Sequence, residues 1–247
     1  MADPYISGLL PLGEYQRIRE EMALAEGGLL GRSTVLSPTL LAELRDSSRH
    51  ADEAELVDVL AACRRHAEPA LVCLGHQGLV WPITVFPAEM LYHSPQDLLG
   101  CTDVALARLR VISVEPAALR PPGHAQHERI ADHDMFRLLA PMLWAVALRG
   151  PSRHALVPAI AGTAAYRAAR SVRNDGLTAP GALGPAAERL RREPTSLQAI
   201  SGWPGMDIER GIRLLNALYL VSNLIVTRAH PAARPEPRSP RASGRPG

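Results

Sequence analysis

The sequence predicts an α+β fold, in which a small N-terminal α/β layer with a β-hairpin precedes a mainly helical C-terminal domain. In the first half of the chain, segments with apolar residues at helical spacing are mixed with short β-rich runs. Beyond residue 135 the strongest apolar segments keep helical spacing. A chain of 247 residues, 47% of them hydrophobic, suffices for two small domains that each bury a core.

The N-terminal half is expected to begin with helices. Three are predicted, at residues 14–25, 38–48 and 53–66. Ser37 as N-cap and Pro38 at the first helical position mark the start of the second helix. The third carries apolar residues at near-helical spacing and leaves its acids and arginines outside.

Three strands follow in the same half. They are predicted at residues 70–74, 79–86 and 109–116. The sequence GHQG joins the first two as a hairpin. Pro82 has no N–H for a ladder, so the second strand is expected at a sheet edge or with a bulge. A helix from Pro95 to about Ala107, capped by Ser94, is predicted before the third strand.

Charge divides the chain in a similar way. Residues 1–144 hold 12 arginines against 19 acids, and residues 145–247 hold 15 arginines against 6 acids. We therefore predict an acidic α+β domain, a loop or linker, a basic helical domain and a disordered tail, at residues 1–120, 121–134, 135–230 and 231–247. The basic half is the natural candidate for an acidic partner.

The absence of lysine excludes several enzyme classes. All 27 Lys+Arg residues are arginines, a bias that we attribute to a GC-rich, prokaryotic genome. The chain therefore has no lysine for a P-loop, for a Schiff base or for kinase-type ATP binding. No glycine fingerprint for a dinucleotide follows a predicted strand. No cofactor is expected.

The cysteines and the N-terminus indicate the compartment. Cys63, Cys73 and Cys101 lie in apolar surroundings without CxxC spacing, which predicts neither a disulfide framework nor a zinc site. The N-terminus lacks a basic segment and an apolar run long enough for a signal peptide or a membrane span. We expect a cytoplasmic protein with no membrane partner.

Residues 184–228 carry the most specific order of signals. A helix at about 185–192 precedes a second helix that begins at Thr195 or Ser196 and ends at the Pro204–Gly205 turn. Asp207 caps a third helix, 207–223, and the β-branched residues 225–227 follow as a strand.

This order of helix, helix, turn, longer helix and strand resembles a winged-helix module, and residues 196–228 resemble its helix-turn-helix stretch. In DNA-binding members the third helix enters the major groove. The resemblance therefore implies base or phosphate contacts from Arg210, Arg213 and Asn216, with Arg228 at the strand that starts a wing. Further phosphate contacts, weakened by salt, are expected from Arg189, Arg191 and Arg192.

The apolar content of the third helix argues against groove reading. Apolar side chains cover nearly every face, and a helix of that kind is buried under another domain or against another subunit. We therefore expect a protein partner or a second copy of the chain to bind at Leu214, Ala217, Leu218 and Val221. Winged helices also serve purely as protein-interaction modules.

The main histidine cluster lies in the segment GHAQHERIADHD, residues 123–134. Imidazoles and carboxylates ligate metals, and His124 and His127 would share one face of a helix, with His133 nearby. The HxxH spacing lacks the glutamate and the i, i+4 pair of the HExxH signature. A solvated loop is the favoured interpretation, and a metal site is the alternative.

Isolated residues add little chemistry. His76 and His93 flank the hairpin, but no serine or cysteine has the context of an activated nucleophile, so turn and edge roles are favoured. Trp81, Trp144 and Trp203 are interpreted as core anchors.

Taken together, the residues favour a non-enzymatic cytoplasmic regulatory or adaptor protein that acts through protein–protein interaction. The alternative is a DNA-binding transcriptional regulator that uses the helix at 207–223, and salt-dependent duplex binding distinguishes the two. A metal-dependent enzyme of unknown type is the third hypothesis.

Overall fold

The computed structural model describes residues 9–26, 36–49, 55–124, 135–151 and 154–236. The backbone divides into two compact units, Met1–Pro151 and Ser152–Gly247. Helices and a mostly antiparallel sheet confirm the α+β class.

Unit 1 is built around a six-stranded sheet in which β5, β2, β3, β4 and β6 follow in that order and β1 pairs with β3. The strands are β1 (Leu10–Pro11), β2 (Ala70–His76), β3 (Leu79–Phe86), β4 (Leu91–His93), β5 (Arg110–Pro116) and β6 (Phe136–Leu138). The helices are α1 (Leu12–Glu26), α2 (Pro38–Arg49), α3 (Leu56–His66), α4 (Asp103–Ala107) and α5 (Leu139–Arg149).

β2 and β3 form the predicted antiparallel hairpin. The expectation that β3 lies at an edge is wrong for the strand as a whole, since β1 and β4 also pair with it. However, β1 covers only Leu79 and Val80, and β4 covers only residues 84–86. Pro82 lies in the gap between them, where its missing N–H leaves no ladder bond unmade.

The helix predicted from Pro95 to Ala107 is wrong in detail. A short 3₁₀ turn, Leu98–Gly100, precedes the separate helix α4. The cap of α4 is Thr102, whose hydroxyl accepts a hydrogen bond from the Ala105 N–H at 3.3 Å. The Ser94 hydroxyl instead accepts the Trp81 indole N–H at 2.8 Å, because both groups are buried.

The predicted boundary between the domains is also corrected. β6 pairs with β4, and α5 follows β6 directly, so this apolar helix belongs to unit 1 and not to the basic half. Eight of its side chains are buried. Unit 1 ends at Pro151, whereas the linker was expected at 121–134, of which residues 125–134 lie outside the described residues.

In the described part of unit 2, residues 154–236, there are three α-helices and a two-stranded sheet. The elements are β7 (Ala165–Ala168), a 3₁₀ turn (Val172–Asp175), α6 (Leu183–Arg192), α7 (Leu197–Ser201), α8 (Ile208–Leu220) and β8 (Leu224–Thr227). β7 pairs antiparallel with β8 and also forms a bridge with Thr195. The strand paired with β8 therefore precedes α6, whereas the strand of a wing would follow β8.

The segment after β8 returns to this sheet. Arg234 forms an antiparallel bridge with Ala164, with backbone N···O distances of 3.3 Å in both directions. Residues 231–236, expected to be disordered, are thus tied to unit 2. The rest of the predicted tail, 237–247, lies outside the described residues.

Candidate functional site

Two helices of unit 2, α7 and α8, begin at the caps that the sequence predicts. The Ser196 hydroxyl accepts from the Ala199 N–H at 3.3 Å and starts α7. The Asp207 carboxylate accepts from the Arg210 N–H at 2.7 Å and starts α8. Each cap satisfies a backbone donor that the first helical turn leaves without a partner.

A tight turn between α7 and α8 lies at the surface of unit 2. Gly205 adopts φ +72°, a left-handed conformation that costs glycine little. A Cβ at this position would lie 2.8 Å from the Cβ of Ala182, just before α6, so the turn also needs the small residue for space. The turn therefore holds the end of α7 close to the start of α6.

Trp203 lies at this turn and is only partly buried. The guanidinium carbon of Arg189, on α6, lies 4.5 Å from the centroid of the indole ring. An arginine over a tryptophan face gains a cation–π attraction and keeps its planar group oriented. Sequence reasoning placed all three tryptophans in the core. That is right for Trp81 and Trp144, which are 5% and 4% exposed, and wrong for Trp203.

A surface groove of about 470 Å³ runs along α6 beside this stacked pair. Its lining residues are Pro185, Glu188, Arg189, Arg192 and Glu193. We call Trp203, Arg189, Arg192, Pro204 and this groove the Trp203 corner. It combines a partly exposed tryptophan with side chains of both charges.

Acids neutralise many of the arginines of unit 2. The described residues 154–236 contain 10 arginines and 6 acids. Five arginines lie within 4.0 Å of a carboxylate, in the pairs Arg170–Asp175, Arg189–Glu193, Arg191–Glu188, Arg210–Asp207 and Arg213–Glu209. Exposed pairs of this kind add little stability, but they reduce the positive potential of the surface.

The acid of one pair is held in its charged form. The Ser171 hydroxyl donates a hydrogen bond to Glu188, and this bond, with the nearby Arg191, lowers the pKa of the Glu188 carboxyl. A negative charge therefore persists on the wall of the groove at neutral pH.

The two arginines predicted to read DNA lie near the start of α8. Arg210 is exposed, and its guanidinium donates to the Gly205 carbonyl and lies 3.8 Å from Asp207. The side chain of Arg213 is 15% exposed and bonds Glu209 at 3.1 Å. Both guanidinium groups are engaged with groups of this chain.

Asn216 does not lie at the surface. It is 1% exposed, its Oδ1 accepts from the Val157 N–H at 2.9 Å, and its Nδ2 donates to the Ala155 carbonyl at 3.3 Å. The amide thus holds the loop before β7 against α8. In this structure it has a stabilising role and cannot reach a base, which corrects the expectation from the sequence.

Arg228 is also used within unit 2. Its guanidinium donates to the carbonyls of Ala159, Ala161 and Thr163, at 3.4, 2.9 and 3.4 Å. These bonds hold the loop at 159–163 in place beside the end of β8. The side chain predicted to begin a wing therefore acts as a brace for a loop.

The apolar residues expected to bind a partner lie inside the protein. Leu214, Ala217 and Leu218 are 0% exposed and Val221 is 5% exposed. α8 packs against α6, α7 and β8. The prediction that an apolar helix must be covered is right, but in this structure these four side chains do not form an accessible docking face.

The structure describes only one of the three clustered histidines. His124 is exposed, and His127 and His133 lie outside the described residues. Among the residues that the structure describes, no group of three or more His, Cys, Asp or Glu is placed to hold a metal ion.

His76 at the end of β2 and His93 on β4 have different surroundings. The ring of His93 packs edge-on against that of Phe136, with 5.0 Å between the ring centroids. Burial, together with the charge of Arg137, lowers the pKa of the His93 imidazole. The Nδ1 of His76 is buried and, among the described atoms, has no hydrogen-bond partner. Neither histidine lies in a described metal-binding group.

No protein-family model, no curated protein and no solved structure matches this chain. Within the described ranges, no helix has the length and apolar character needed to cross a bilayer.

Proposed function

We propose that the chain is a non-enzymatic cytoplasmic regulatory or adaptor protein that binds another protein through the Trp203 corner. The observation that carries this proposal is the partly exposed Trp203 ring, stacked by Arg189 beside the groove along α6. The residue types at this corner are those that contribute most to protein–protein affinity.

Trp203 and Arg189 are already stacked on each other before a partner binds. Tryptophan offers a large contact area with few rotatable bonds, and a guanidinium already stacked on it loses less freedom when a partner arrives. The glycine turn sets the position of Trp203 relative to α6. The surface is therefore rigid before binding, which favours affinity.

Charge at the groove indicates the chemistry of the partner. Arg192 is exposed and lines the groove, whereas Arg189 is shared with Trp203 and Glu193. A carboxylate of the partner would complement Arg192, and an apolar or aromatic group would cover the indole ring.

DNA binding is the second candidate. The excess of arginines over acids in unit 2 favours it, and the winged-helix resemblance stays a prediction that would support it. Against it, Asp207 and Glu209 lie at the start of α8 beside the arginines that would contact phosphate. The protein-binding hypothesis agrees better with these ion pairs.

The test is a quantitative affinity capture from a cytosolic extract, with wild-type protein and with the Trp203→Ala variant. A true hot spot costs about 2 kcal/mol or more, so Trp203→Ala should reduce recovery of the partner roughly thirtyfold at limiting concentration. Arg167→Ala is the matched control, because Arg167 is an exposed arginine of unit 2 that does not line the groove.

The proposal fails if Trp203→Ala and Arg167→Ala recover the same proteins as the wild type in the same amounts. Circular dichroism of each variant checks that unit 2 remains folded. Fluorescence polarisation with mixed-sequence duplex DNA tests the second candidate, which predicts binding that falls steeply as salt rises.

A further inference from the structure

The described part of α1 is attached to unit 1 differently from α3 and α5. In the part of α1 whose side chains are described, Leu12–Glu21, no residue is fully buried. By contrast, α3 and α5 each bury eight residues. Leu12, Tyr15 and Ile18 are only partly covered, so apolar packing holds the described part of α1, residues 12–21, weakly.

Polar contacts supply the remaining attachment. The Tyr15 hydroxyl lies 2.6 Å from the Ser113 hydroxyl and donates to Glu115 Oε1 at 2.9 Å. Ser113 also donates to Glu115 Oε1 at 2.8 Å, and Arg19 Nη1 lies 3.4 Å from the same oxygen. We call Tyr15, Arg19, Ser113 and Glu115 the α1 latch.

The latch closes over a buried thiol. Cys73 lies opposite Ser113 in the β2–β5 ladder, and opposite residues share one face of a sheet. Cys73 is 2% exposed, and this burial raises the pKa of its thiol. The side chain under the latch is therefore shielded from solvent in the closed arrangement.

We propose that α1 is a releasable cover, held closed by the α1 latch, whose opening bares the face of the sheet around Cys73 while the rest of unit 1 stays folded. This inference concerns unit 1 and does not depend on the role proposed for the Trp203 corner. Val80 on β3 pairs with Gly75, two residues from Cys73, so it lies on the same face of the sheet, and it is 1% exposed.

Two cysteines of the chain allow opening and unfolding to be measured separately. Cys63 is 1% exposed within α3, one of the helices with eight buried residues. Its thiol should react only when unit 1 unfolds, whereas Cys73 should react whenever α1 lifts. Full-length protein carrying Cys101→Ser is treated with N-ethylmaleimide, and mass spectrometry follows each cysteine over time.

In the wild-type protein, we expect Cys73 to react with N-ethylmaleimide at least tenfold faster than Cys63. Tyr15→Phe removes the hydroxyl that joins α1 to Ser113 and Glu115 on β5. One hydrogen bond to a carboxylate corresponds to about a tenfold change in the opening equilibrium. Tyr15→Phe should therefore raise the Cys73 rate about tenfold and leave the Cys63 rate unchanged.

Tyr92→Phe is the matched control, since Tyr92 is also a tyrosine of unit 1 that donates to a carboxylate, Asp97, at 3.2 Å. It lies on the opposite face of the sheet from Cys73, because its ladder partner Val85 pairs with Ala70. Tyr92→Phe leaves the α1 latch intact, so any loss of global stability that it causes should raise the Cys63 rate and leave the faster Cys73 rate nearly unchanged.

Glu115→Gln provides a second variant of the latch and should also raise the Cys73 rate alone. The proposal is overturned if Cys63 and Cys73 react at the same rate in the wild type. It is equally overturned if Tyr15→Phe and Glu115→Gln accelerate both cysteines to the same extent or change neither.

Discussion

The buried amide of Asn216 allows a sharp test of whether α8 is a structural or a DNA-reading helix. Asn216→Ala removes the acceptor for the Val157 N–H and the donor to the Ala155 carbonyl. Ala155 is exposed, so water can replace the lost donor, whereas Val157 is 1% exposed and its N–H is left without a partner. The penalty therefore comes mainly from one buried N–H.

An unsatisfied buried donor costs about 1–3 kcal/mol, and the small cavity left by the amide adds to this. We expect Asn216→Ala to lower the free energy of unfolding of unit 2 by about 2–4 kcal/mol. Asn174→Ala is the matched control, because Asn174 is exposed and surface substitutions usually change stability by less than about 0.5 kcal/mol.

Urea unfolding followed by hydrogen exchange of peptides from unit 2 measures this loss without contributions from unit 1. Two compact units need not unfold together, so a single transition for the whole chain is not assumed. The reasoning is refuted if Asn216→Ala is as stable as Asn174→Ala. Loss of duplex DNA binding at unchanged stability would instead support a base-reading role for Asn216.

Three further predictions address the turn, a loop brace and a titrating group. Gly205→Ala places a Cβ 2.8 Å from the Cβ of Ala182 and forces alanine to adopt φ +72°. The variant should lose about 1–3 kcal/mol of stability, measured as a lower melting temperature of unit 2. An unchanged melting temperature would contradict the tight packing. Arg228→Ala should destabilise unit 2 more than Arg167→Ala, because Arg228 donates to three carbonyls whereas Arg167 is an exposed strand residue. Chemical denaturation of both variants checks this ranking. The lowered pKa of His93 means that the unfolded chain binds its proton more readily, so stability should fall as pH drops below about 6.5 and then level off below the folded pKa. His93→Gln should flatten that part of the stability profile, and an identical profile for the variant would show that another group is responsible.

The starts of helices were predictable because they depend on local chemistry. Ser37 caps α2, with the Leu40 N–H 3.3 Å from its hydroxyl, and Ser196 and Asp207 cap α7 and α8 as the sequence indicates. Each cap needs only one side chain and backbone groups two or three residues away. The local sequence alone is therefore sufficient to predict where these helices begin.

The boundary between the units could not be predicted in this way. The apolar segment that became α5 reads equally well as the core of either half. Its place was decided by the pairing of β6 with β4, a contact between residues 91–93 and 136–138. No local signal specifies such a pairing, because strand register depends on the whole sheet.

The candidate site shows the same division. The apolar residues of α8 were rightly expected to be covered, but only the packing of α6, α7 and β8 shows that this chain covers them. Trp203 was missed because a tryptophan beside a proline turn has the same sequence signature whether it is buried or exposed. The Pro204–Gly205 turn was visible in the sequence, but the stacking of Arg189 was not.

The most direct test of the account is hydrogen exchange of the full chain with and without its captured protein partner. The account predicts that protection appears in peptides covering α6 through the Trp203 turn, residues 183–205, and that Trp203→Ala abolishes it. Protection confined to other parts of the chain, with 183–205 unchanged, would contradict the assignment of the Trp203 corner as the contact surface.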